Sequence, residues 1–192
     1  MGKNVGILGG SFNPVHIGHT MLASYLSQYT MLDEVWLLLS PRNPLKDSSI
    51  LVNDAHRLAM LQIATDSMTK VEVCDIELSL PRPSYTINTL KVLSQRYPQH
   101  SFRLIIGSDN WLIFDKWKDS ESIINDFGII IYPRPGYHIT EPLPNGVELI
   151  EAPTVNISST FIREGFAEGK NMEAFLPNGV TQYILTNQLF TQ

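Results

Sequence analysis

Residues 9–19 read Gly-Gly-Ser-Phe-Asn-Pro-Val-His-Ile-Gly-His and continue directly from an apolar run at residues 3–9. The run has the near-continuous apolar character of a strand that is buried on both faces of a parallel sheet. The glycines let the backbone approach a ligand closely, and the helix that begins near residue 17 offers free N–H groups to an anion. His16 and His19 share one face of that helix. The stretch therefore predicts a strand, a glycine turn and a helix that hold the phosphates of a nucleotide.

Residues 9–19 are neither the dinucleotide-binding pattern G-x-G-x-x-G nor a P-loop, because no Gly-Lys-Ser/Thr follows them. Two other interpretations stay open on this stretch alone. One is a glycine turn with two surface histidines, and the other is a metal pair, for which we find no third ligand at a suitable spacing. The single cysteine, Cys74, excludes an internal disulfide and a multi-cysteine zinc site, and we expect it to be buried as a small apolar residue.

Further apolar runs alternate with segments of helical spacing along the chain. The predicted strands lie at 3–9, 34–39, 71–76, 102–107, 127–132 and 147–151. The predicted helices lie at 17–29, 54–67, 86–97 and 119–125. Asn53 and Asp119 are candidates for helix N-caps. This alternation predicts right-handed crossovers and an α/β fold with a doubly wound parallel sheet, whose ligands bind at the carboxyl ends of the strands.

The C-terminal part of the chain, residues 158–192, has no strand signal and predicts short helices broken at Gly169 and at residues 177–179. With 192 residues in all, we expect one domain, 1–192, of which 158–192 is a small C-terminal helical segment. Residues 133–144 are rich in proline and predict a loop, which is either a binding loop or a plain connection.

Composition limits the classes of function. Hydrophobic residues make up 43% and charged residues 17% of the chain, so wholesale disorder is excluded. No apolar run approaches the ~18 residues of a membrane-spanning helix, so we expect no membrane partner. A formal net charge of −5 argues against nucleic acid as a partner, although a local basic cluster can still bind a small anion. These features and the single cysteine fit a cytoplasmic protein, and they leave a homo-oligomer open.

Two widely separated stretches resemble the signature motifs of the nucleotidylyltransferase superfamily. The first is the His-Ile-Gly-His of residues 16–19, and the second is the Ile-Ser-Ser-Thr-Phe-Ile-Arg of residues 157–163. Five more stretches narrow the resemblance to the bacterial nicotinate-nucleotide adenylyltransferase family, which joins ATP to nicotinate mononucleotide in NAD synthesis. They are Pro-Arg-Asn-Pro-Leu-Lys at 41–46, Arg-Pro-Ser-Tyr-Thr-Ile-Asn-Thr-Leu at 82–90, Gly-Ser-Asp-Asn at 107–110, Phe-x-x-Trp at 114–117 and Arg-Pro-Gly at 134–136. The chain departs from the family at Pro83, where many members have glycine, and it lacks the histidine often seen before Lys46.

The resemblance implies a Rossmann-like nucleotidylyltransferase fold with an ATP site. The catalytic residues would be His16, His19 and Arg163, which contact the phosphates. The ATP-binding residues would be Gly9, Gly10, Ser11, Phe12, Gly18, Gly107, Asp109, Ile157, Ser158, Ser159 and Thr160. The family also implies Mg²⁺, bound through the ATP phosphates and not by a protein metal site.

The resemblance also implies a mononucleotide site. Its residues would be Lys46, Tyr85, Thr86, Trp117 and Arg134. Lys46 and Arg134 would bind the mononucleotide phosphate. The pyridine ring would stack on Trp117, and its carboxylate would meet main-chain N–H groups near Tyr85 and Thr86.

Two alternative functions stay open at the level of sequence. One is another adenylyltransferase of the superfamily, such as phosphopantetheine adenylyltransferase, which is expected to lack the motifs at 84–90 and 114–117. The other is a non-catalytic nucleotide-sensing module, against which the retention of both histidines and Arg163 argues. The chain is too short for an aminoacyl-tRNA synthetase.

Overall fold

The computed structural model describes residues 2–41 and 51–191, and its centre is a parallel β-sheet. The strands of the sheet are β1 (Asn4–Gly10), β2 (Glu34–Leu39), β3 (Val71–Cys74), β4 (Ser101–Gly107), β5 (Ile129–Tyr132) and β6 (Val147–Leu149). Their spatial order is β3-β2-β1-β4-β5-β6, and every neighbouring pair is parallel. The prediction of an α/β fold with a parallel sheet is therefore confirmed, and each of the predicted strands is present.

Helices connect the strands and form the C-terminal segment. They are α1 (Ile17–Tyr29), α2 (Asp54–Thr65), α3 (Thr86–Arg96), α4 (Ser108–Trp111), α5 (Ser120–Asp126), α6 (Ser159–Ala167) and α7 (Val180–Thr186). Short 3-10 turns lie at 76–79, 114–116 and 173–175. The helical character of the C-terminal segment is confirmed, and no strand lies within its described residues 158–191.

The two predicted N-caps have different outcomes. The Asn53 side chain accepts a hydrogen bond from the Ala55 N–H at 3.0 Å, so that cap is confirmed. Asp119 is the N-cap residue of α5, as predicted, but its backbone is left-handed (φ 52°) and its side chain makes no capping hydrogen bond. A left-handed residue turns its side chain away from the first free N–H groups of the helix, which the sequence does not reveal.

The strands bury both faces, which explains their nearly continuous apolar sequences. Ile7 packs with α3 and α5 on one face of the sheet, whereas the adjacent Leu8 packs with α1, α2, α6 and α7 on the other. Cys74 is buried on the α3 side, as predicted. Two apolar cores, one on each face, make the sheet doubly wound.

The order of the strands reverses between β1 and β4. Leu8 lies beside Ile105 in the register of β1 and β4. Gly10 and Gly107 therefore lie side by side at the carboxyl ends of these neighbouring strands. The crossovers from these two strands leave toward opposite faces, which opens a crevice at their carboxyl ends. None of the helices in the described ranges has the length and apolar character that crossing a bilayer requires.

Candidate active site

The glycine turn after β1 places two stacked imidazoles at the start of α1. The ring centroids of His16 and His19 lie 3.7 Å apart, and the planes are 27° from parallel. The His16 main-chain N–H donates to Nδ1 of His19 at 3.2 Å, so a neutral His19 carries its proton on Nε2. A Cβ on Gly18 would lie 3.1 Å from the His16 ring, which is a tight contact. The predicted histidine pair therefore exists, and Gly18 leaves room for the His16 ring.

His16 is buried and uncharged at neutral pH. Burial, and secondarily the positive charge of Arg134, lower its pKa from 6.5 to about 4. Its buried Nδ1 has no hydrogen-bond partner in the described part of the chain. A buried polar atom without a partner is costly, and this nitrogen is closed to solvent and faces the first turn of α1.

The second motif docks beside the first. Nη1 of Arg163 donates to the Asn13 carbonyl oxygen at 2.9 Å, and Nη2 donates to the Thr160 hydroxyl at 3.1 Å. The Ser159 hydroxyl donates to the Pro14 carbonyl oxygen at 2.9 Å. The Ser158 hydroxyl caps α6 by accepting from the N–H of Phe161. Burial lowers the pKa of Arg163, yet a guanidinium stays charged at neutral pH.

The end of β4 brings a carboxylate and a guanidinium into the crevice. Oδ1 of Asp109 lies 3.7 Å from Nε of Arg134, and the Arg134 main-chain N–H donates to the Ser108 hydroxyl at 2.9 Å. A Cβ on Gly107 would lie 2.3 Å from Oδ1 of Asp109 and 3.0 Å from Cγ of Arg134, so glycine is required for this arrangement. Asp109 lies within the first turn of α4 and not at its N-cap, which is Gly107.

The segment predicted to bind the pyridine carboxylate lies at the start of α3. Tyr85 is the N-cap residue, Thr86 is the first helical residue, and no side chain caps the free N–H groups of this turn in the described residues. Nζ of Lys118 lies 4.6 Å from the centre of the Tyr85 ring, which brings the 117–118 turn next to α3. Trp117 is half-buried against Phe114, with ring centroids 5.2 Å apart.

Five predicted site residues need separate comment. Phe12 is buried, with φ 44° and its ring against Gly10, so it shapes the turn through its backbone and presents no ring to a ligand. Ile157 is half-buried and packs its side chain against the core on the α1 face. Lys46 lies outside the described residues. Gly9 is exposed near the end of β1, and Ser11 is half-buried in the turn that follows.

Two buried charged residues near the site were not predicted. Arg57 in α2 is fully buried and bonded to the Ser11 carbonyl. Glu77 is also buried, and its carboxylate accepts from the Thr89 hydroxyl at 2.7 Å and the Ser84 hydroxyl at 3.4 Å. Glu77 therefore explains two positions of the 84–90 motif, because Ser84 and Thr89 tie the start of α3 to the 76–79 turn.

The site lies at the switch point of a parallel sheet with strand order 3-2-1-4-5-6, where two helix starts, an imidazole pair and an arginine come together. This combination fits a nucleotidyltransferase. The family model for cytidylyltransferase-like proteins matches residues 7–165. Two Bacteroides proteins named "Probable nicotinate-nucleotide adenylyltransferase" are similar along almost their whole length. The protein from B. thetaiotaomicron is 51% identical over 93% of this chain and 89% of its own length, and that from B. fragilis is 48% identical over 94% and 90%. The chain belongs to the nicotinate-nucleotide adenylyltransferase family, as its motifs predicted.

Solved structures agree on the fold. The structure of Plasmodium falciparum nicotinic acid mononucleotide adenylyltransferase complexed with NaAD superposes with a TM-score of 0.81 at 22% identity, covering 98% of this chain and 97% of that one. The same protein complexed with APC superposes with a TM-score of 0.80, over the same shares of the two chains. At this identity the likeness concerns the fold, and it confirms the Rossmann-like architecture.

Proposed function

We propose that this enzyme transfers the adenylyl group of ATP to nicotinate mononucleotide, giving nicotinate adenine dinucleotide and pyrophosphate. The observation that carries the proposal is the junction of the two motifs, where Arg163 donates to the carbonyl of Asn13 beside the stacked His16–His19 pair. Family membership and the names of the relatives support the same activity.

ATP is proposed to bind across the carboxyl ends of β1 and β4. Its phosphates would meet the start of α1, the two imidazoles, and the start of α6 with Arg163. A helix start offers unpaired N–H groups and the positive end of the helix dipole, both of which favour an anion.

Nicotinate mononucleotide is proposed to bind between the start of α3 and the 117–118 turn. The pyridine ring would stack on Trp117, and the carboxylate would accept from main-chain N–H groups near Tyr85 and Thr86. The proximity of the 117–118 turn to Tyr85 supports one site made from both elements. Arg134, held beside Asp109, would bind the mononucleotide phosphate, and the sequence assigns Lys46 the same role.

The reaction needs no covalent enzyme intermediate. An ionised oxygen of the mononucleotide phosphate attacks the α-phosphorus of ATP in line, the bond from that phosphorus to the bridging oxygen breaks, and pyrophosphate leaves with the bond's electron pair. The task of the protein is to align the two substrates and to stabilise the charge on the phosphates. The His19 Nε2–H and the Arg163 guanidinium are donors of the kind this requires.

Magnesium is proposed to enter with ATP as part of the substrate. No group of three or more His, Cys, Asp or Glu side chains in residues 2–41 and 51–191 is arranged to hold a metal ion. When bound to the phosphates, Mg²⁺ neutralises part of the charge of the leaving pyrophosphate. The cytoplasmic location suggested by the sequence remains a prediction.

A pyrophosphate-release assay tests the function directly. ATP is offered with nicotinate mononucleotide, with phosphopantetheine, or alone, and the dinucleotide product is identified by mass. We expect pyrophosphate and dinucleotide in equal amounts with nicotinate mononucleotide only. Release with phosphopantetheine would indicate a different adenylyltransferase, and ATP binding without any release would indicate a nucleotide sensor.

A further inference from the structure

The guanidinium of Arg57 is fully buried, although arginine is among the residues least often found inside a protein. Nη1 donates to the carbonyl oxygens of Ser11 and Ser40, the latter at 2.9 Å, and Nη2 donates to that of Pro41 at 3.0 Å. Nε donates to the carbonyl oxygen of Val52 at 3.1 Å. The charge is paired with the carboxylate of Asp54, so the buried cation is both compensated and hydrogen-bonded.

One partner of Arg57, Ser11, lies in the proposed ATP site, and another, Asp54, connects Arg57 to the mononucleotide side through Arg82. Ser11 lies in the turn that follows β1, where ATP is proposed to bind. Ser40 directly follows β2, and its N–H donates to the Gly10 carbonyl oxygen at 2.9 Å. The second oxygen of Asp54 pairs with Nη2 of Arg82 at 3.1 Å.

Arg82 begins the 82–85 segment that leads into α3, where the pyridine carboxylate is proposed to bind. One chain of contacts therefore runs from the ATP turn through Arg57, Asp54 and Arg82 to the mononucleotide side.

We propose that Arg57 is a positioning residue that holds the ATP turn at a fixed distance from the mononucleotide site. This inference rests on the proposed function. In-line transfer requires the attacking oxygen and the α-phosphorus to be aligned closely, and a displacement of about 1 Å can cost roughly 10²-fold in rate. Arginine suits the role because its planar fork has five donors in fixed directions, whereas lysine has one freely rotating ammonium.

The test is Arg57→Lys, which keeps the charge and loses the fork. We expect kcat at saturation of both substrates to fall about 10- to 100-fold, while the dissociation constant of ATP alone changes by less than about threefold. The control is Val5→Ala, a buried site near the beginning of β1 at the other end of the sheet, with the two variants compared at equal distance below their melting temperatures. We expect the control to keep its kcat.

Chemical rescue separates positioning from general destabilisation. In Arg57→Ala, millimolar guanidinium should restore part of kcat, and urea at the same concentration should not. Should the Arg57 variants fail to fold, Asp54→Asn leaves Arg57 in place and should raise the KM for nicotinate mononucleotide several-fold more than the KM for ATP.

An Arg57→Lys enzyme with wild-type kcat would overturn the inference, as would an Asp54→Asn enzyme with both KM values unchanged. A wild-type enzyme that releases no pyrophosphate would instead refute the proposed function, so the two failures are distinguishable.

Discussion

Acid should destabilise this protein through His16 in particular. The folded chain holds the pKa of His16 at about 4, whereas the ordinary value of 6.5 applies to the unfolded chain. As pH falls from 6.5 towards 4, the unfolded chain binds a proton that the folded chain does not, so acid favours unfolding. Above pH 6.5 the lowered pKa of His16 costs almost no stability. As the pH falls from 6.5 to about 4, the free energy of unfolding decreases progressively.

The size of the effect follows from the two pKa values. Each unit of difference between the two pKa values corresponds to about 1.4 kcal/mol. The whole difference therefore lowers the free energy of unfolding by about 3 kcal/mol. Between about pH 7 and about pH 5, the linkage relation gives a loss of about 2 kcal/mol from this residue. Because the His16 side chain is almost completely buried, solvent screening removes little of that amount.

Urea unfolding of the wild type and of His16→Gln at the two pH values measures this contribution. Glutamine does not titrate, so the variant should lose about 2 kcal/mol less than the wild type on acidification. The carboxylates of the protein titrate in both and cancel in the difference. Equal losses, or an NMR titration that places the His16 pKa near its ordinary value, would refute the argument.

Two predictions concern the proposed phosphate contacts. His19→Ala should lower kcat by about 10²–10³ with a much smaller effect on ATP binding, because the His19 hydrogen bond strengthens as charge builds in the transition state. The control is His100→Ala, near the opposite end of β4. A near-normal kcat in His19→Ala would show that His19 is structural. Arg163→Ala should weaken ATP use more than mononucleotide affinity, because the guanidinium lies beside Thr160 at the start of α6. Titration of each substrate in turn checks this, with the exposed Arg96→Ala as control, and a raised KM for the mononucleotide alone would contradict the assignment.

The elements that sequence predicts best are those that a single local pattern determines. The run before Gly9 is apolar at nearly every position because Ile7 and Leu8 pack into different cores, and such a run predicts a buried strand. The histidine pair was predictable because a helix that starts at Ile17 brings residues 16 and 19 together.

Long-range contacts account for what the sequence did not reveal. Arg57 stands in an ordinary amphipathic helix pattern, and Asp54 three residues earlier indicates only a surface ion pair. It is buried because carbonyl groups of Ser11, Ser40 and Pro41, from two other parts of the chain, converge on it. The contact of Lys118 with Tyr85 likewise depends on the packing of two connections side by side on one face of the sheet.

The selection of a pyridine carboxylate by the start of α3 is tested by comparing kcat/KM for nicotinate mononucleotide and for its amide analogue. The amide turns its NH₂ group towards the main-chain N–H donors near Tyr85 and leaves at least one unsatisfied, at a cost of roughly 1–3 kcal/mol. We expect a preference for the acid of roughly 5- to 150-fold. Equal values, or a preference for the amide, would contradict it and would indicate that Pro83 has reshaped this segment.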